Sequence, residues 1–215
     1  MPTQELHCML ARLAERRPVF HSEADFQHAL AWEMQLSNPE AHIRLEKQVA
    51  AHGSRVHLDL LVQSNIGETA IELKYKTRRA KLIHAEEEYL LRNQSAQDIG
   101  RHDFLRDIQR LEKYVDAHAK SKGFAILLTN DRTYWMESKK MDSVDSEFRV
   151  HEGRILQGGA TWGARASAGT KHKREEPIKL HGRYAVRWFK YSSFGSAIAE
   201  EFRYVLIRVP SEAEA

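Results

Sequence analysis

The sequence predicts an α/β fold. Three observations carry that prediction. Apolar stripes at helical spacing open the chain and recur near its middle, as Leu6, Met9, Leu10 and Leu13 and then as Phe104, Ile108, Leu111 and Val115. Between them lie three alternating segments, IRLEKQV (43–49), RVHLDLLV (55–62) and TAIELKYK (69–76). A continuous apolar run, FAILLT (124–129), has the composition of a strand buried on both faces.

The elements follow in order. Residues 3–15 form a helix, ended by Arg16, Arg17 and Pro18. Ser22 followed by Asp25 caps a second helix with Phe26, Ala29, Leu30 and Met34 inward, and Asn38-Pro39 stops it. Glu23 sits in its first turn, where the helix dipole favours an acid. Strict alternation sets Ile43, Leu45 and Val49 against Arg44, Glu46 and Gln48. It sets Leu58, Leu60 and Val62 against His57, Asp59 and Leu61, and Ile71, Leu73 and Tyr75 against Ala70, Glu72, Lys74 and Lys76. QSNIGE joins the last two strands as a hairpin, so the three make an antiparallel meander.

Residues 77–97 read as a polar loop with helical parts, and 99–119 as a helix. TYWMESKK is expected to be a short helix, and 152–176, rich in Gly, Ala, Ser and basic residues, a long mobile loop. Segments 182–191 and 201–209 are strands that extend or cap the sheet, and SEAEA (211–215) is a tail. The expectation is one domain over 1–215, with its core at about 22–130 and a C-terminal extension at 131–209.

Composition narrows the class. With 215 residues, 42% of them hydrophobic, one sizeable core is within reach. A net charge of +3 is too small to name a nucleic-acid partner by itself. One cysteine and twelve scattered histidines, with no HExxH spacing, exclude a disulfide framework and argue against a zinc hydrolase. No run reaches transmembrane length, and the N-terminus has no signal-peptide pattern. The expectations are no membrane partner and a cytoplasmic, reducing location.

Charges inside the second and third strands carry the chemistry. Glu72 and Lys74, two apart, share a face, and a hairpin of this register lets Asp59 face the same way as Glu72. Two buried carboxylates side by side are costly without a cation. Mg²⁺ takes oxygen ligands, often one or two carboxylates plus water and substrate phosphate. A lysine beside it orients the attacking water or helps to deprotonate it.

A helix-borne glutamate, a meander carrying D-x(12)-E-L-K, then a helix and a buried strand resemble the PD-(D/E)xK nuclease superfamily, which includes restriction endonucleases and Holliday-junction resolvases. The resemblance spans about residues 22–130. It implies a restriction-endonuclease-like α-β-β-β-α-β core, with a mixed central sheet flanked by helices and, here, extra C-terminal strands. It also implies hydrolysis of phosphodiester bonds with Mg²⁺ or Mn²⁺, leaving a 5′-phosphate. Asp59 and Glu72 would bind the metal, Lys74 would position the water, and Glu23 matches the extra acid some members carry on the first core helix. Leu58 stands where the motif's name expects proline.

Blander assignments stand beside each of these. Asp59, Glu72 and Lys74 could be a cross-strand salt bridge on an exposed sheet face. Glu23 could simply complement the helix dipole. A second E-x-K, Glu137-Ser138-Lys139, lacks the flanking strand and reads as surface. Asp103, Asp107 and Arg110 read as surface ion pairs, or as phosphate contacts beside the sheet. Asn130 and Asp131 follow a buried strand, and TND is also an ordinary turn. Lys76, Arg78, Arg79, Arg110, Lys171, Lys173 and Arg174 are candidate nucleic-acid contacts, with solvated charge as the alternative. Trp188, Phe189 and Tyr191 read as core.

The functional expectation is a DNA endonuclease rather than an exonuclease. RNA stays open as a substrate, and a homodimer is the arrangement that would cut two strands. Two other classes stand against it: a non-catalytic nucleic-acid-binding or assembly protein of the same fold, and an α/β domain with no nucleic-acid role.

Overall fold

The computed structural model describes residues 1–51, 54–140, 142–195 and 197–210, so the tail at 211–215 lies outside the described residues. The chain opens with α1 (Thr3–Arg16) and α2 (Glu23–Ser37). The apolar stripes fall where the periodicity puts them: Leu6, Met9, Leu10 and Leu13 are buried on α1, and Phe26, Leu30 and Met34 on α2. Ser22 caps α2 by accepting from the Asp25 N–H at 3.1 Å. Glu33, also buried, ties the two helices together by accepting from Arg12 and Arg16.

Three antiparallel strands follow, β1 (His42–Ala51), β2 (Ser54–Ser64) and β3 (Gly67–Lys76). The β2–β3 turn closes on the Ser64–Gly67 pair. Gly67 has φ +136°, and a Cβ there would lie 2.2 Å from the Lys120 carbonyl oxygen. Next come β4 (Ala80–His84), β5 (Glu87–Leu91), α3 (Gln97–Ala117) and β6 (Ser121–Thr129). The rest of the chain supplies β7 (Ile155–Ala160), the short α4 (Ala168–Lys171), β8 (Ile178–Ala185), β9 (Trp188–Ser193) and β10 (Glu201–Val209). The fold is α/β: one mixed six-stranded sheet, in the order β1-β2-β3-β6-β10-β9, and two separate hairpins, β4–β5 and β7–β8. Among the described residues, only β3 and β6 pair in parallel, across the connection that holds α3.

The sheet is covered on both faces. Ile71, Leu73, Phe124, Ile126 and Leu128 pack with α1, α2 and the β4–β5 hairpin. Ala70, Ala125, Leu127, Val205 and Ile207 pack with α3 and the β7–β8 hairpin. FAILLT is therefore buried on both sides, as its composition predicts. Glu112 on α3 holds the second hairpin by accepting from the His181 and Gly182 N–H groups and the Tyr184 hydroxyl, at 2.8–2.9 Å.

Four expectations are corrected. Residues 77–97 are not a loop with helical parts but mostly the β4–β5 hairpin. Its turn residues, Ala85 and Glu86, have φ +49° and +67°, so the turn lacks the Gly or Asn that would have marked it. The segment 152–176 contains a strand, β7, whose Gly158-Gly159 disguises it. Residues 182–191 are not one strand. Past the end of β8 the Gly153 N–H donates to the Val186 carbonyl and the Val186 N–H to the Arg154 carbonyl, and β9 restarts in the main sheet. TYWMESKK is a series of turns, begun by the Tyr134 N–H to Asp131 carbonyl bond at 3.1 Å. The two C-terminal strands do extend the sheet, through β10 on β6.

Gly67→Ala should destabilise the protein by about 1–3 kcal/mol, because both the left-handed backbone and the Lys120 carbonyl oppose a side chain. Urea unfolding of the two proteins measures this. An unchanged midpoint would show that the turn relaxes freely.

Candidate functional site

The site begins where a strand pair ends. The β2–β3 ladder runs from Ser64–Gly67 to Leu60–Ile71 and stops there. On the other side of β2, Glu46 of β1 has φ +51°, and the β1–β2 ladder skips the Glu46–Asp59 pair. The strand changes face at this point. Leu60 joins the core on the α1–α2 side, whereas Leu58 joins the core on the α3 side with Leu61. The strict alternation expected for residues 55–62 therefore fails at Asp59. Asp59 reaches across to β3, and its Oδ2 accepts from the Leu73 N–H at 2.6 Å.

Glu23 does the same two residues on. Its Oε2 accepts from the Tyr75 N–H at 2.8 Å, with Lys76 Nζ 3.7 Å from the same oxygen. Gln27 of α2 clamps the kink by donating to the Asp59 carbonyl at 2.7 Å and to Glu46 at 2.8 Å.

Glu72 and Lys74 reach toward α3, with Asp59 close enough to act electrostatically on both. Glu72 Oε1 accepts from Arg110 at 2.8 Å, and Lys74 Nζ lies 2.8 Å from Asp107 Oδ2. Arg110 spans to Asp107 Oδ1 at 3.4 Å. Glu72 is 1% exposed and Asp107 2%. The exposed cross-strand salt bridge and the surface role for Asp107 are both corrected by this burial. Asp103 pairs not along the helix but with Arg174, at 2.9 Å and partly buried. Asp107 Oδ2 is taken by its ion pair with Lys74, so Glu72 Oε2 is the buried carboxylate oxygen left without a partner in this cluster; away from it, Glu112 Oε2 has none either.

The electrostatics follow from this crowding. Burial raises the Glu72 carboxyl well above its ordinary range, Asp107 adds to the rise, and Arg110 offsets part of it. Burial pushes Asp107 up to about 6 against the pull of Lys74 and Arg110. Asp59 is raised by burial and by Glu23 and Glu46, though the Leu73 N–H and Lys74 oppose this. Burial pulls the Lys74 pKa down, but Asp107, Glu23 and Asp59 outweigh it and hold the ammonium form. A cluster whose acids resist ionising is one that an added cation would stabilise.

Beside it lies a cleft of 520 Å³ between α3 and the start of β2, lined by Lys74, Asp107 and Arg110 and by the cations Arg55, Arg106 and Lys113. His57, whose ring contacts Gln48, also faces it.

The other candidate contacts scatter. Lys76 stays near Glu23, while Arg78 and Arg79 are exposed past the end of β3. Lys173 offers its carbonyl to Arg106, so the run 171–174 docks beside the cleft, with Arg174 already held by Asp103 and Lys171 half-buried. Asn130 and Asp131 are buried and tie loops together: Asn130 bonds the main chain of Arg78 and Ala199, and Asp131 bonds Gln97 and the Thr133 N–H. Trp188 and Tyr191 are buried as expected, and Glu137 and Lys139 are exposed.

No family model, curated protein or solved structure matches the chain.

Among the described residues, no three Asp, Glu, His or Cys side chains converge as a ready-made metal cage. Mg²⁺ needs fewer, since water and substrate phosphate complete its shell. The unpartnered Glu72 Oε2, with Asp59 repelling it electrostatically from the neighbouring strand, fits such an ion. Asp107 is the residue that sequence reasoning misplaced. It lies within the apolar stripe, three residues after Phe104 and four before Leu111, and an acid inside a buried stripe is the signal that was there.

Asp59→Asn should stabilise the protein at neutral pH by about 1 kcal/mol. A carboxyl raised in the folded state costs stability above its folded pKa and nothing below its unfolded one. The gain over wild type should therefore fade as pH falls into the ordinary carboxylate range. Urea midpoints measured without divalent ions across that range test it, and a variant less stable at neutral pH would show that Asp59 serves chiefly to hold β3.

Proposed function

We propose that the protein is a divalent-metal-dependent nuclease hydrolysing phosphodiester bonds in DNA, cutting within strands. The observation that carries this is the Lys74 ammonium, paired with Asp107 and held charged by Asp107, Glu23 and Asp59 where it lines a cationic cleft. The element order supports a restriction-endonuclease-like core: α2, β1, β2, β3, α3 and β6, with β6 parallel to β3 and the β4–β5 hairpin inserted.

Asp59 and Glu72 would hold Mg²⁺ or Mn²⁺, with Glu23 as the further acid. The bound ion would supply an activated water and a counter-charge for the phosphorus centre. Lys74, with its pKa above the ordinary lysine value, would donate hydrogen bonds to water and phosphate rather than take a proton. Arg55, Arg106 and Lys113 would grip flanking phosphates. The 5′-phosphate product belongs to this proposal through the family resemblance.

A second reading has an observation of its own. The Glu72–Arg110 and Lys74–Asp107 pairs give these charges partners inside the chain, as a non-catalytic nucleic-acid-binding protein would need. The unpartnered Glu72 Oε2 weighs against it.

With Mg²⁺ or Mn²⁺, wild type should cut at least one of supercoiled plasmid, linear duplex, single strands, branched junctions or RNA. Asp59→Ala and Lys74→Ala, shown to be folded by circular dichroism, should lose about 100-fold or more. Cutting by all three alike, or by none, would leave the binding protein as the better account. A separate check concerns the cleft: replacing Arg106 and Lys113 by Ala should lower the salt dependence of duplex binding by about two in log–log slope. An unchanged slope would place the phosphates elsewhere.

A further inference from the structure

We propose that Arg110 is an internal counter-ion, which a divalent cation displaces from Glu72 into the cleft, so that one side chain couples metal binding to phosphate binding. The proposal rests on the metal-binding reading of Asp59 and Glu72.

Arg110 stands between two carboxylates, with Nη1 2.8 Å from Glu72 Oε1 and Nη2 3.4 Å from Asp107 Oδ1. A guanidinium on Oε1 and a divalent ion on Oε2 of one carboxylate repel each other across a short gap, and the repulsion moves whichever partner is freer. The structure decides which. Glu72 is fully buried on β3, which pairs along this stretch with β6, whereas the Arg110 side chain is 29% exposed at the cleft wall. The carboxylate has nowhere to go and the arginine does.

Its destination is already built. Arg106 and Lys113 lie four before and three after Arg110, on one stripe of α3, and all three line the cleft. Nη1 is also 3.4 Å from the His57 carbonyl, on the opposite wall. Released from Glu72, the guanidinium would complete a row of three cations at phosphate-binding spacing, with the planar fork that suits a phosphate. Asp107 would then face Lys74 alone and keep it charged. By linkage, metal would tighten phosphate binding and phosphate would tighten metal binding by the same factor.

The test titrates MnCl₂ calorimetrically into wild type, Arg110→Gln and Glu72→Gln, and follows the Arg110 Nε–Hε NMR signal of wild type as MgCl₂ is added. Glu72→Gln should lose the site, and Arg110→Gln, relieved of the competing charge, should bind Mn²⁺ about tenfold more tightly. The Arg110 signal, assigned by its absence in Arg110→Gln, should shift in step with Mg²⁺ binding. Mn²⁺ affinity in Arg110→Gln equal to or weaker than wild type, where Glu72→Gln has lost the site, would overturn the displacement and leave the metal reading intact. No binding by wild type would overturn the metal reading, and the displacement with it. Should Arg110→Gln fail to fold, Arg110→Lys assigns the signal, and a signal unmoved at Mg²⁺ saturation overturns the displacement.

Discussion

Two main-chain N–H groups, those of Leu73 and Tyr75, organise the site. β2 stops pairing with β3 after Leu60–Ile71, and a buried N–H left without an acceptor costs about 1–3 kcal/mol. Side chains take over the missing strand: Asp59 accepts from Leu73 and Glu23 from Tyr75. The substitution opens the sheet and, by the same act, imports two negative charges to the edge of its core. The neighbouring cations answer that charge.

The answer comes largely from α3. An acid placed within its apolar stripe, Asp107, reaches Lys74, and the arginine one turn on reaches Glu72. The helix therefore buries its hydrophobic face against Ala70, Ala125 and Leu127 while threading an ionic seam through the same contact. A half-satisfied buried network is worse than an apolar one. Here Asp107 Oδ2 is taken by Lys74, and Glu72 Oε2 is left without a partner beside a positive cleft. That open oxygen is what supports the proposed metal site.

What could be read from the chain alone was whatever has a period. The stripes of α1, α2 and α3, the meander and the two-sided burial of β6 follow from repeating contrasts between water and core. Asp59, Glu72 and Lys74 stood out because they break those contrasts. The hidden parts depend on single backbone conformations. Ala85 and Glu86 turn without glycine, and Gly158-Gly159 lies inside a strand. Glu46 takes a left-handed φ that no alternation rule anticipates, and opposite it on β2 Leu58 and Leu60 enter different cores. The pairing of Asp107 with Lys74 was hidden for another reason: it joins two elements, and sequence periodicity describes only one at a time.

The bend at Glu46 has a consequence outside the site. β1 is an edge of the main sheet, and an edge offers unpaired main-chain donors and acceptors to any passing strand. Here the row is interrupted at its middle by the φ +51° residue, with the exposed charges of Arg44 and Lys47 on either side. A continuous β1 would be a better template for strand addition than this interrupted one. The same left-handed residue that leaves Asp59 without a β1 partner thus shortens the row of donors and acceptors the edge presents.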